Sequence, residues 1–312
     1  MYARLAEVVR SGFTESIHFG SVAALAPDGT LAFALGPVDE PMLPRSSAKP
    51  FQALACLSSG AALAGPRLAI AAGSHTGEDL HAELVQAMLH DAGLGTGALR
   101  CPADWPENEA ARHAMIRAGE GPARVRMNCS GKHAAMLTAC AASGWDTASY
   151  LDPAHPLQQR VRSAAERLSG EKSTHTAVDG CGAPLFALSL AGLARAVRAL
   201  TLSPEGTPER AVADAMRDFP EYVGGTGHAN TELMRALPGA VVKGGAEGVL
   251  VVATSEGHAV AVKAIDGGPR ATTAIALAAL ARLGAVTTGA QAFTTVPVLG
   301  GGLPVGEIRP TL

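Results

Sequence analysis

Five short blocks of this 312-residue sequence concentrate side chains able to move protons, attack carbonyls or bind ions. In Pro44-Arg45-Ser46-Ser47-Ala48-Lys49-Pro50-Phe51-Gln52, a serine precedes a lysine by three residues where a helix could begin, so one turn places Ser46 and Lys49 on one face. A serine hydroxyl is a weak nucleophile at neutral pH, and a lysine deprived of its proton by burial can serve as its base. The block Gly73-Ser74-His75-Thr76-Gly77-Glu78 follows a strand-like apolar run and offers a second hydroxyl, Ser74, with Thr76 placed to cap a helix starting near Glu78. Asn128-Cys129-Ser130-Gly131-Lys132-His133 sets a thiol, an amine and an imidazole at a helix start, and Asp179-Gly180-Cys181-Gly182-Ala183-Pro184 sets a second thiol in a glycine-rich bend. Two thiolates and a third donor can hold zinc, although no C-x-x-C pair is present, and imidazole is a commoner zinc ligand than an amine, which favours His133 as third donor on chemistry alone. Finally, Lys243-Gly244-Gly245-Ala246-Glu247-Gly248 sends a lysine from a strand into paired glycines, as in the Lys-Thr-Gly element that lines the site of penicillin-recognising enzymes.

The intervening sequence must position these groups. Ser16 to Leu25 and Leu31 to Leu35 flank the turn Pro27-Asp28-Gly29 and predict antiparallel strands ahead of the Ser46 helix. Helices are expected over Phe51–Ser59, Glu78–Leu89, Gly131–Ala142, Leu157–Leu168 and Leu185–Leu200, with a β-like run at Arg124–Cys129 and a short apolar, strand-like run at Leu68–Ala72. Strands are expected again at Ala240–Lys243, Gly248–Thr254 and His258–Ile265, then a helix from Thr272 to Leu283 and a last strand at Val305–Ile308. Strands at both ends around a helical middle predict an α+β fold, one domain over 1–312, whose antiparallel sheet is built from both termini and packed against helices.

Composition narrows the function. Hydrophobic residues make up 47% of the chain, enough for a large core, and a net charge of −3 with no lysine or arginine cluster argues against nucleic acid as a partner. No export-like segment and no run long enough for a membrane span are read, so a cytoplasmic protein without membrane contact is expected. Five cysteines, Cys56, Cys101, Cys129, Cys140 and Cys181, form an odd and sparse set that reads as reduced thiols.

Taken in order, the five blocks resemble the Rhizobium etli type of L-asparaginase, the asparaginase II family, across nearly the whole chain. That resemblance implies a fold like that of serine β-lactamases and β-lactamase-like glutaminases, a homodimer, and hydrolysis of L-asparagine to L-aspartate and ammonia (L-asparaginase, EC 3.5.1.1). Carried over by motif, it implies two serine–lysine pairs, Ser46 with Lys49 and Ser74 with Lys243, with Ser46 forming an acyl-enzyme that water cleaves. It also implies zinc at Cys129, Lys132 and Cys181, which displaces His133 from the ligand set, and substrate contacts from Arg45, His133 and Asp179. A guanidinium suits a carboxylate, and a carboxylate suits an α-ammonium. The chain departs from the family pattern after Phe219, where Gly224-Gly225-Thr226-Gly227-His228-Ala229-Asn230 lacks a cysteine that some relatives carry. A glutaminase is the nearest alternative, because one methylene shifts discrimination by only ~1–3 kcal/mol. Another β-lactamase-like amidase, or a non-catalytic amino-acid or zinc-binding protein, are the further alternatives.

Overall fold

A computed structural model describes residues 1–312. Strand β1 (Ala3–Arg10), the long β2 (Phe13–Leu25) and β3 (Leu31–Leu35) form an antiparallel meander, and the two-residue β4 (Pro41–Met42) leads to a 3-10 turn at Arg45–Ala48. The helical middle comprises α1 (Lys49–Leu57), α2 (Pro66–Ala71), α3 (Asp79–Asp91), α4 (Glu109–Arg117), α5 (Ser130–Ser143) and α6 (Pro156–Ser169). A small hairpin of β5 (Thr176–Val178) and β6 (Pro184–Phe186) follows, then β7 (Leu188–Ser189), which pairs with β4. Helices α7 (Leu190–Thr201), α8 (Pro208–Asp218), α9 (Pro220–Val223) and α10 (Ala229–Ala236) precede β8 (Val241–Gly245), β9 (Val249–Ala253) and β10 (Ala259–Ala264). The chain ends with α11 (Thr272–Arg282), β11 (Val296–Gly300) and β12 (Leu303–Pro310).

The large sheet runs β11-β12-β1-β2-β10-β9-β8, with β3 alongside β2. Both termini therefore build it: Val8 pairs with Ile308 and Val22 with Val262, all in antiparallel register. Every residue of β9 is buried, so both of its faces are covered, and α7 and α11 are the helices that pack on β9 and β10. The predicted α+β architecture, with its sheet drawn from both ends, is what the chain adopts.

Helix α1 lies deep among α2, α5, α6 and α8, and every residue from Lys49 to Cys56 is buried. Phe51 and Leu54 each contribute about 1.5–3 kcal/mol by leaving water. Helix α5 approaches α2 closely at Gly131, where an added Cβ would lie 2.7 Å from Ile70 O, so only glycine lets the two backbones meet. This contact brings the Cys129–His133 block against the end of α2 and the Ser74 loop.

Several local expectations differ from the structure. Leu68–Ala72 is helical rather than strand-like: Pro66 starts α2, and a short, wholly buried apolar run carries no periodicity that separates helix from strand. Arg124–Arg126 is a 3-10 turn, closed by Met127 N–H to Arg124 O, instead of a β-like run. The expected helix at Leu185 begins only at Leu190, because the Ser189 side chain caps it by accepting from Gly192 N–H and the residues before it pair as strands. Gly244 and Gly245 belong to β8 rather than to the turn, and β1, α4, α8, α9, α10 and β11 add to the predicted elements.

Candidate active site

Three lysines of this chain are fully buried, Lys49 and Lys132 at 1% exposure and Lys243 at 0%. Lysine is almost never buried without a partner, so three together mark a site built for charge or proton transfer. Lys49, the first residue of α1, donates from Nζ to Gly73 O at 2.6 Å, to Ser74 Oγ at 2.9 Å and to Asn128 O at 3.2 Å. Three acceptors match the three protons of an ammonium. The amine thus reaches past Ser46, with which it makes no hydrogen bond, to the hydroxyl of the neighbouring loop.

Lys243 meets the same hydroxyl from the opposite element. Its Nζ, projecting from β8, lies 2.8 Å from Ser74 Oγ and donates to Gly244 O at 2.7 Å. Burial first, and then the positive charge of Lys49, hold the Lys243 pKa well below the usual lysine value. A neutral amine has a lone pair, so Lys243 can take a proton from Ser74 while Lys49 donates to the same oxygen.

The Ser74 loop is fixed by its backbone: Ser74 N–H donates to Val223 O and Thr76 N–H to Gly224 O, both at 2.8 Å, and His75 N–H donates to Asn128 O at 3.2 Å. Its side chains finish the clamp. His75 Nε2 is 2.9 Å from Ser130 Oγ, its ring stacks on His81 at 4.7 Å, and Glu78 accepts from Thr76 Oγ1 and Thr226 N–H. Glu78 rather than Thr76 caps α3, in a reciprocal box with His81.

Ser46 is half-buried in the 3-10 turn ahead of α1 and shares with Ser74 a cavity of about 840 Å³. β8 packs directly on this turn: a Cβ added to Gly245 would lie 2.9 Å from Pro44 O and 3.2 Å from Ser46 N, so the glycine is needed for the approach. The preceding residue, Arg45, has φ +52°, a left-handed conformation unusual for a side chain of its size. It is held there by an ion pair from Nε to Asp179 Oδ1 at 2.8 Å, with Glu247 Oε1 3.6 Å from Nη1. Burial raises the Asp179 pKa, but Lys132 and Arg45 more than offset this and keep it an anion. Arg45 and Asp179, both expected at the substrate, are therefore brought together as a pair beside Ser46.

His133, the third residue expected at the substrate, is wholly buried on α5. Its Nδ1 lies 2.6 Å from Tyr150 OH, and Nε2 has no partner. Burial, reinforced by Lys132, lowers its pKa to about 3, so it is a neutral ring.

The remaining buried lysine stands between the two thiols. Lys132 Nζ donates to Cys181 Sγ at 3.0 Å, and Cys129 Sγ donates to Asn128 Oδ1 at 3.2 Å. The neighbouring Cys129 thiol is the largest influence on Cys181, which despite burial falls to about 5, aided by Lys132. The proximity of Cys181 and burial push Cys129 up to about 12. Burial alone would discharge Lys132, yet the charges of Cys181, Cys129 and Asp179 raise its pKa. No three His, Cys, Asp or Glu side chains gather to hold a metal ion, so a site here requires the lysine nitrogen as third donor. Cys129, Lys132 and Cys181 supply two thiols and one amine, all buried, with Lys132 in contact with Cys181, and thiolate sulfur is a donor that suits zinc.

Sequence reasoning did not single out several residues of the cavity wall. Glu107, which accepts from Asn128 Nδ2 at 2.8 Å, Asn230, whose Oδ1 accepts from Gly244 N–H at 2.8 Å, and Arg270 all line it. His228 also lines it, with burial and the two nearby lysines lowering its pKa to about 4. The Gly227-His228-Ala229-Asn230 run stands out in the sequence only for lacking a cysteine, and nothing local marks Glu107 or Arg270.

A half-buried serine held between two buried lysines, beside a second serine at a helix start, defines a serine–lysine type of centre. The model of the L-asparaginase II family matches residues 6–310, and the chain belongs to that family, whose activity is asparaginase-type amide hydrolysis on a small-molecule amide. No curated protein matches it in sequence. Among solved structures, a β-lactamase from Mycobacterium bovis is similar over 85% of this chain and 94% of its own, with 16% identity and a TM-score of 0.46. The protein named Mglu is similar over 85% of this chain and 67% of its own (14% identity, TM-score 0.46), and a mutant of the simvastatin synthase LovD from Aspergillus terreus over 79% and 86% (12% identity, TM-score 0.40). No helix is long and apolar enough to cross a membrane.

Proposed function

We propose that this protein is an L-asparaginase that hydrolyses the side-chain amide of L-asparagine through a serine acyl-enzyme, with Ser46 as nucleophile and Ser74, Lys49 and Lys243 as its proton-handling group. The observation that carries this reading is the convergence of both lysines on Ser74 Oγ, at 2.9 and 2.8 Å, with burial holding the Lys243 pKa well below that of an ordinary lysine. Lys243 accepts a proton through Ser74 as Ser46 Oγ bonds to the amide carbon, and the proton passes to the departing nitrogen. Water then cleaves the ester, returning hydrogen to Ser46 and leaving L-aspartate. Lys49 donates to Ser74 Oγ and stabilises negative charge that develops on the oxygens it faces. Arg45 and Asp179 hold the carboxylate and ammonium of the amino acid, each exchanging part of the mutual ion pair for a substrate group.

Zinc is proposed at Cys129, Lys132 and Cys181. Bound there, it would supply positive charge beside the substrate that helps to place it. Binding requires Lys132 and Cys129 to lose their protons, so occupancy falls as pH drops.

A second reading, with Ser74 itself as nucleophile, is favoured by the fact that Ser74 alone contacts both lysines. One experiment separates the two. Purified protein is given L-asparagine, L-glutamine and a chromogenic β-lactam, ammonia is followed for the first two, and the acylated serine is located by mass spectrometry after rapid quench. Ser46→Ala is expected to abolish turnover and acylation while remaining folded. Acylation on Ser74, or substantial activity in Ser46→Ala, refutes the Ser46 assignment, and no ammonia from asparagine refutes the proposed activity.

A further inference from the structure

The cavity that exposes Ser46 and Ser74 is larger than the reaction of asparagine requires. Its volume of about 840 Å³ lies in the range of sites that enclose drug-sized ligands, about 300–1,000 Å³. Arg45 and Asp179 are not on its wall, although they adjoin Ser46. The space therefore extends from the two serines away from the pair proposed to hold the amino-acid head. With the amino-acid head held by that pair, a group occupying this space would lie on the leaving-group side of the scissile bond. Ammonia would fill almost none of it.

The far wall is equipped to hold an anion. Arg270 is the sole arginine or lysine lining the cavity, and it is fixed from behind by a relay across the sheet. His18 on β2, 4% exposed, places Nδ1 2.6 Å from Asp266 Oδ2 and receives a hydrogen bond from Arg270 Nε at its Nε2, 2.9 Å away. Accepting at Nε2 requires a neutral ring whose Nδ1–H donates to Asp266. Ser16 Oγ accepts from Arg270 Nη2 at 3.3 Å, leaving Nη1 with no protein partner. A second group points to a ligand independently: Asn230, 1% exposed and lining the cavity, has an Nδ2 that makes no hydrogen bond. Leu250, Phe293 and Val296 add apolar surface to a wall that also carries Thr272, Thr273 and Glu107. An exposed arginine braced by a buried histidine, beside apolar side chains, matches an organic carboxylate carried on a hydrocarbon body.

We infer that the outer half of this cavity is a leaving-group subsite in which Arg270 binds a carboxylate, so that the enzyme also cleaves asparagine amides whose nitrogen belongs to an amino acid, the β-aspartyl dipeptides. The inference rests on the acyl-enzyme reading above. In the step, Ser46 Oγ bonds to the β-carbonyl carbon, the C–N bond breaks, and the amino acid leaves as its amine, carrying the proton that Ser46 gave up. Water then hydrolyses the same aspartyl ester that asparagine forms. Arg270 is a specificity residue here, and His18 and Asp266 are positioning residues that act through it.

The test measures aspartate release from L-asparagine, β-aspartyl-leucine and β-aspartyl-leucinamide by the wild type and by Arg270→Gln. The wild type is expected to favour the free acid over the neutral amide in kcat/KM by about tenfold to a hundredfold, the range of one charge-assisted hydrogen bond. Arg270→Gln is expected to narrow that preference to within about twofold, with a loss on β-aspartyl-leucine at least about tenfold greater than on asparagine. Turnover of asparagine with no release from β-aspartyl-leucine overturns the subsite and leaves the asparaginase reading intact. No release from any substrate overturns both. Equal losses on asparagine and β-aspartyl-leucine in Arg270→Gln overturn the leaving-group assignment, since the arginine would then serve the part both substrates share. Should the variant fail to fold, the acid-to-amide preference of the wild type decides alone, and its absence refutes the proposal.

Discussion

Replacing Lys243 by methionine tests the central electrostatic claim without reference to any substrate. Methionine fills similar space and carries no charge. Two effects follow. Gly244 O and Ser74 Oγ each lose a partner, a pH-independent cost of about 0.5–1.5 kcal/mol per hydrogen bond. The second effect depends on pH. In the folded chain burial holds the Lys243 pKa well below its ordinary value of 10.5, whereas in the unfolded chain the group titrates at that ordinary value. Between the lowered folded pKa and 10.5 the unfolded state holds one proton more, so wild-type stability contains a contribution that rises with pH by up to about 1.4 kcal/mol per unit. The variant lacks this contribution. Urea unfolding at pH 7, 8 and 9, extrapolated to water, should therefore show the wild type gaining on Lys243→Met by roughly that increment at each step. A difference between the two proteins that does not change with pH would mean that Lys243 is charged in the fold, and the base assignment would fall with it. The same group sets the acid limb of kcat/KM, which should rise with pH as Lys243 loses its proton.

Cys181→Ala is expected to leave the protein free of zinc and to raise KM more than it lowers kcat; metal analysis alongside steady-state kinetics checks both, and retained stoichiometric zinc would remove Cys181 from the proposed site. Gly245→Ala places a methyl 2.9 Å from Pro44 O and 3.2 Å from Ser46 N, backbone atoms that must shift, so a loss of ~1–3 kcal/mol in urea unfolding together with reduced kcat is expected. Wild-type stability and rate in this variant would show that β8 does not position the Ser46 turn. Asp179→Asn removes the charge that holds Arg45 in its left-handed conformation, and a rise in KM for asparagine of at least about tenfold is expected from the loss of a charge-assisted contact.

Many of the polar groups that the structure gathers around the cavity and the buried lysines were legible from residue type and local spacing. Ser46, Lys49, Ser74, Cys129, Lys132, Asp179, Cys181 and Lys243 stand out because serine, lysine and cysteine beside glycines and helix starts are uncommon enough to notice, and because turn and helix signals act over a few residues. The α+β class was legible for the same reason: alternation and apolar periodicity are local, and they change character near Ala240. Where the signal was ambiguous, the tertiary structure decided. Leu68–Ala72 could not be separated into strand or helix by its own pattern, because a segment buried on all sides has no polar face to reveal its period. The one-turn spacing of Ser46 and Lys49 suggested a contact, yet the Lys49 amine is long enough to reach the carbonyls of Gly73 and Asn128 and settles on Ser74. That both lysines meet at one hydroxyl, that Lys132 lies against Cys181 while His133 turns to Tyr150, and that His18 braces Arg270 from 252 residues away depend on packing between distant elements. A sequence determines which groups are available and which local conformations they favour. The depressed pKa of Lys243 and the apposition of cavity walls arise only when burial excludes water and the sheet brings both ends of the chain together.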